Sequence, residues 1–142
     1  MVNKTILFSK DYPLSILVAE NDPDDQVLTR NMLRSLGYQP ELAVDDQQLL
    51  RMAGKKDYDV ILIDIRMPGV ETILNAHLGG PGDKRPLIVS MTDDAGLNFK
   101  QVCLKVETDD SITRPVDLNE LSLQLRAYCV LTGKCHAHYP RT

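Results

Sequence analysis

Four places in this chain carry residues that could do chemistry together: Glu20-Asn21-Asp22, Asp64, Thr92 and Arg114. Each stands at the end of an aliphatic or β-branched run. Ser15-Ile16-Leu17-Val18-Ala19 leads to Glu20, Val60-Ile61-Leu62-Ile63 to Asp64, Leu87-Ile88-Val89-Ser90-Met91 to Thr92, and Ser111-Ile112-Thr113 to Arg114. Carboxylates gathered at one edge repel each other and need a cation. Hard oxygen ligands with room for water suit magnesium, which prefers octahedral geometry and keeps several waters. A hydroxyl and a guanidinium on the far side suit a phosphoryl group. An aspartate can attack phosphorus and form an acyl phosphate, with metal and guanidinium spreading the developing charge. The chemistry implied is phosphoryl transfer onto Asp64.

That chemistry requires the runs to end on one side of a sheet. Val60 to Ile63 reads as a strand buried on both faces, and Pro68-Gly69 forces a turn soon after it. The first run is followed by a helix. Asp22 suits its N-cap, Pro23 its first position, and Asp24 and Asp25 its first turn, where acids favour the helix dipole. Leu28, Met32, Leu33 and Leu36 would form its buried stripe, and Gly37 would close it. Leu42-Ala43-Val44 is a short strand. Asp45-Asp46 begins a helix through Leu49, Leu50 and Met52 that Gly54 would end. Val70 to Leu78 reads as a short helix stopped by Gly79-Gly80-Pro81-Gly82. That glycine-rich piece lacks the Gly-Lys-Ser/Thr ending of a phosphate loop and is read as a connection. Phe99, Val102, Cys103 and Val106 fall at helical spacing. Asp117 caps the last helix, with Glu120 in capping-box spacing and Leu118, Leu121, Leu125 and Tyr128 on its buried face. Strand and helix alternate five times. Strands separated by helices run parallel with right-handed crossovers, so the fold class is α/β, a parallel sheet covered on both faces. The carboxyl ends of its strands then share one crevice.

Length and composition fit this. The 142 residues are the size of one domain. The net charge of −4 gives no general affinity for nucleic acid. No apolar run reaches membrane-spanning length, and Thr5-Ile6-Leu7-Phe8 after Lys4 is too short for a secretory signal. Three cysteines, Cys103, Cys129 and Cys135, point to a reducing, cytoplasmic setting. Residues 1–13 are read as an N-terminal extension, 14–132 as the domain and 133–142 as a tail. Ile6 to Phe8 would add an edge strand or pack on the surface.

Between about residues 14 and 132 the chain resembles the receiver domains of two-component response regulators and hybrid histidine kinases. The markers are Ala19-Glu20-Asn21-Asp22-Pro23, the Asp64-x-x-Met67-Pro68-Gly69 block, Thr92, and Asp109 to Asp117 with Arg114-Pro115 at its centre. The resemblance implies a flavodoxin-like, doubly wound (βα)5 fold with strand order 2-1-3-4-5. It implies that Asp64 is the phosphoacceptor, served by a phosphohistidine on a histidine kinase or phosphotransfer domain. Glu20, Asn21, Asp64 and the Arg66 backbone carbonyl would surround Mg2+, with Asp22 a weaker candidate. Thr92 would move toward the phosphoryl group and report it to a partner-binding face made by the fourth helix, fifth strand and fifth helix. The Arg114-Pro115 bond would be cis. Such a domain is a signalling switch, not an enzyme, and at most assists its own phosphorylation and dephosphorylation.

Three positions depart from the family pattern. Asn21 replaces a carboxylate, so metal affinity should drop. Arg114 replaces a lysine, keeping the charge on a wider planar head. Ser111 stands where an aromatic switch residue is common. The helix after Gly69 is also short and lacks the usual Asp-Gly after it. Asp64, Glu20 and Thr92 favour a working phosphorylation switch. Asn21 and Arg114 favour the alternative, a degenerate receiver kept as a phosphorylation-independent interaction module. A nucleotide-binding enzyme is disfavoured, because no strand-to-helix turn carries the glycine fingerprint. Cys129, Cys135, His136 and His138 match no metal-finger spacing, and His77 is read as a surface residue. Met67 is read as packing. Asp93, Asp94, Asp109 and Asp110 are read as solvated loop acids, with Asp94 and Arg66 flanking the crevice. Residues 133–142 are too few for a DNA-binding unit or an enzyme, so a stand-alone receiver or a piece of a hybrid kinase is expected.

Overall fold

The computed structural model describes residues 4–75, 78, 81–82, 85–93 and 108–135. Five strands form one parallel sheet: β1 (Ile16–Ala19), β2 (Glu41–Ala43), β3 (Val60–Asp64), β4 (Leu87–Thr92) and β5 (Asp110–Thr113), in the order β2-β1-β3-β4-β5. This is the expected order and class. Helices α1 (Lys4–Asp11), α2 (Pro23–Ser35), α3 (Asp46–Lys55), α4 (Val70–Asn75) and α5 (Leu118–Leu131) complete the described elements. The expected helix around Phe99 to Val106 lies outside the described residues, as do His77, Asp94, Cys103, His136 and His138.

The central strands are buried on both faces, and their alternation divides the core in two. Ile16, Val18, Val60, Leu62, Val89 and Met91 pack with Leu33 of α2 and Leu121, Leu125 and Tyr128 of α5. Leu17, Ala19, Ile61, Ile63 and Ile88 pack on the other face with Leu49 and Ala53 of α3 and Val70 and Ile73 of α4. Two side chains beyond Val18 and Leu62 come Glu20 and Asp64, which therefore continue the rows on the α2 face.

Local expectations fared unevenly. The carboxylates of Asp22, Asp45 and Asp117 cap α2, α3 and α5, accepting from the backbone N–H of Asp25, Gln48 and Glu120. The stripe of α2 is rotated from the expected one. Thr29, Leu33 and Leu36 are buried, whereas Leu28 is 61% exposed, so spacing alone picked the wrong edge of the apolar face. Likewise Leu50 is exposed and Ala53 buried on α3, and Leu118 is exposed while Cys129 is buried on α5. Gly54 does not end α3, which continues to Lys55. Residues near Phe8 form a helix, not an edge strand. Phe8 packs on the α2–α5 core, and the Ser9 amide donates to the Leu36 carbonyl at 3.1 Å.

Candidate phosphoacceptor site

β1 ends at the α2 side of the sheet edge, and Glu20 follows it with its amide on the Ala43 carbonyl at 3.0 Å. Asp64 closes β3, the middle strand. Asp25 enters from the first turn of α2, which the Asp22 cap orients over this edge. Glu20, Asp25 and Asp64 each offer an oxygen, and the three oxygens lie within 4.8 Å of one another. Glu20 and Asp64 are fully buried.

Two guanidiniums pair with this cluster. From β5's end, Arg114 places Nη2 2.9 Å from Glu20 Oε1 and 3.1 Å from Asp64 Oδ2, and Nη1 2.9 Å from Asp93 Oδ1 and 3.4 Å from Asp25 Oδ2. Arg66 places Nη2 3.2 Å from Asp64 Oδ2 and 3.4 Å from Asp25 Oδ2, and its Nη1 pairs with Asp93 Oδ2. The Arg66 backbone N–H also donates to Asp64 Oδ1 at 2.8 Å. Asp93 therefore bridges both arginines.

The electrostatics split the two buried acids. Burial pushes the Glu20 carboxyl up to about 7, and a hydrogen bond shared with Asp64 adds to the rise. Burial opposes charge on Asp64 too, but hydrogen bonds from the Arg66 side chain, from the Glu20 carboxyl and from the Arg66 amide outweigh it, with help from the Arg114 charge. They hold Asp64 below the usual carboxylate range. Asp64 is thus the more acidic member of the pair. Thr92 ends β4, one residue past the Asp64–Met91 register pair. It is buried, and its Oγ1 has no hydrogen-bond partner among the described residues. A buried hydroxyl without a partner is costly.

The site thus gathers Glu20, Asp64 and Arg114, with Thr92 at the neighbouring strand end. Asn21 and Asp22 are exposed, and the Asp22 carboxylate is engaged with the Asp25 amide at 2.9 Å. Sequence position alone presents Asp25 as a dipole-favouring acid and Asp93 as a solvated one. The N-cap itself held the clue to Asp25: it fixes the start of α2, and the third residue of a helix that starts at a strand's carboxyl end lies over the crevice. Asp93 shows its role only once both arginines are placed. Asp109 and Asp110 are exposed, as expected of solvated acids, and also make structural hydrogen bonds. Asp109 Oδ2 accepts the Ile88 amide at 2.7 Å, and Asp110 Oδ2 accepts the Tyr128 hydroxyl at 2.5 Å. Met67 is buried in the core as expected, and the Arg114-Pro115 bond is cis.

Comparison with known proteins agrees with this geometry. The family model described as "Response regulator receiver domain" matches residues 16–126. The chain is 31% identical over 125 residues to the sensor histidine kinase RcsC of Salmonella typhi, covering 87% of this chain and 13% of that protein. It is 34% identical over 131 residues to histidine protein kinase 1 of Candida albicans, covering 84% of this chain and 5% of that one. The chain thus spans a small fraction of the length of these curated relatives. Among solved structures, the receiver domain of sensor histidine kinase PA1611 from Pseudomonas aeruginosa PAO1 superposes with a TM-score of 0.71 at 30% identity, covering 82% of this chain and 98% of that one. That domain carries a magnesium ion in its active-site cleft. The chemotaxis regulator CheY4 of Vibrio cholerae shares the fold, with a TM-score of 0.67 at 22% identity over 80% of this chain and 97% of that one. No helix among the described residues is long and apolar enough to cross a membrane. The strand order, the acidic cluster beside β3 and the family match agree that this chain belongs to the response regulator receiver domain family of two-component signalling, whose members are signalling modules.

Proposed function

We propose that this receiver accepts a phosphoryl group on Asp64 from a phosphohistidine of a histidine kinase or phosphotransfer partner, and that the adduct switches a protein-binding surface. The observation that carries the reading is Asp64 itself: a fully buried carboxylate held ionised between two guanidiniums. An Asp64 oxygen would attack phosphorus while the phosphorus–nitrogen bond breaks, and the leaving imidazole keeps the electron pair and takes up a proton. Arg114 would hold a phosphoryl oxygen, and Thr92 would supply its unpartnered hydroxyl to another. The oxygen donors of Glu20, Asp25 and Asp64 fit a hard cation. They would hold Mg2+ with Asn21 and the Arg66 carbonyl, and Asp22, kept as a cap, would stay out. Bound magnesium supplies positive charge to the phosphoryl oxygens. The receiver is placed at residues 14–132, between an extension and a tail, in the cytoplasm. The docking face for a downstream protein would be made by the fourth helix of the (βα)5 unit, expected around Phe99 to Val106 and outside the described residues, with β5 and the last helix.

A specific observation favours the second reading, a phosphorylation-independent interaction module: Arg114, standing where the family has a lysine, and Arg66 both pair with the buried Asp64 carboxylate, and Arg114 also with Glu20. One experiment separates the two. The protein is incubated with magnesium and a small acyl phosphate donor, and its intact mass is read. A single phosphoryl adduct, lost in Asp64→Asn, is expected. No adduct from the donor, and no uptake from any phosphorylated histidine kinase, would replace the switch by the module.

A further inference from the structure

The two arginines reach the carboxylates in different ways. Arg114 is 11% exposed at its side chain and touches all three cluster acids. Arg66 is 53% exposed, lies on the loop after β3, and touches two of the three. Its Nη2 stands against Asp25 Oδ2 and Asp64 Oδ2, on two of the three carboxylates that could hold a cation. A cation and that nitrogen would compete for the same two carboxylates. Arg66 can leave, because half of its side chain faces water and a solvated guanidinium is stable there. Its tether to the cluster's rim is Asp93, itself 49% exposed, which also binds Arg114.

We infer that the Arg66 side chain is a built-in competitor of the divalent cation, a counter-ion that occupies the metal's oxygens until it swings out, with Asp93 as the latch. This deepens the proposed function and rests on its reading of the crevice as a magnesium site. It also assigns the Arg66 side chain a role opposite to that of its own backbone carbonyl: the carbonyl would favour the cation, and the guanidinium opposes it. Affinity for magnesium is then set by the exposed arginine as well as by Asn21. Arg66 is a positioning residue on this account, because it acts through Asp25 and Asp64.

The test is a magnesium titration of the metal-free full chain at fixed ionic strength, followed by backbone amide shifts at the ends of β1 and β3. Wild type, Arg66→Ala, Arg66→Lys and Asp93→Asn are compared, with urea midpoints confirming that each variant is folded. Three partly exposed ion pairs disappear in Arg66→Ala, so magnesium should bind about tenfold tighter than to wild type. Arg66→Lys should fall between the two, because a lysine keeps the charge and loses the fork. Asp93→Asn should also tighten binding, by less, and it stands as the test if Arg66→Ala does not fold. Equal or weaker binding in Arg66→Ala overturns the inference and leaves the magnesium site in place. No binding in any of the four proteins overturns both.

Discussion

The two ends of β3 carry two buried aspartates with opposite fates. Asp59 lies just before the strand and Asp64 ends it, and they are 6% and 0% exposed. Asp59 spends one oxygen on the backbone N–H of Ser15, at 2.7 Å, so it stitches the start of β1 to the start of β3. Its other oxygen faces Lys134 at 3.7 Å. Asp64 has a single backbone partner, from its own turn, and otherwise faces side chains: Arg66, Arg114 and the Glu20 carboxyl. A carboxylate bound to distant backbone is a fastener, because removing it unpairs a partly buried amide. A carboxylate bound to long side chains can exchange those partners for a cation or a phosphoryl group. Burial is the same at both sites; what differs is whether the partners are free to move.

Three measurements break or sharpen this contrast. The largest effect is expected for Arg114→Ala, which strands two buried acids without their main counter-charge. Breaking a buried pair from one side should cost about 3 kcal/mol in urea unfolding, and a wild-type midpoint would mean that Arg66 alone neutralises the edge. Next comes Asp59→Ala. Leaving the Ser15 amide unpaired should cost about 2 kcal/mol, while the folded fraction still takes a phosphoryl group on Asp64. Loss of phosphoryl uptake without loss of stability would reverse the roles assigned to the two ends. The smallest effect is expected for Asp64→Asn. Its oxygen still accepts the Arg66 amide and its neutrality relieves Glu20, so stability should move by less than about 1 kcal/mol although all phosphoryl uptake is gone.

The same contrast explains what could be read from the residues in order. Strands β1, β3 and β4 are legible because burial on both faces demands uninterrupted aliphatic runs, and their carboxyl ends then converge by topology alone. The caps Asp22, Asp45 and Asp117 are legible because capping is local. Asp25, Asp93, Asp109 and Asp110 are not, since each is defined by a partner from another element. Arg66 with Asp93 spans 27 positions and Asp110 with Tyr128 spans 18. An acid in a loop has the same sequence signature whether it meets water, an arginine or a backbone amide. The rotated face of α2 has a related cause. Thr29 replaces Leu28 on the buried side because the neighbouring elements, and not the count of apolar residues, decide which edge of a helix is covered.

The turn after Asp64 also governs how quickly the crevice can rearrange. Gly69 sits at φ +83°, and a Cβ added there would collide with the carboxylate of Asp46 at the start of α3. Pro68 precedes it and Met67 is locked in the core beneath. The backbone bearing Arg66 is therefore held at its far side, which disfavours opening as a flap. Access has to come from torsions of one solvent-facing chain of methylenes, a rearrangement of picoseconds to nanoseconds, so admission of a cation would not pace signalling; the slower exchange with a partner protein would.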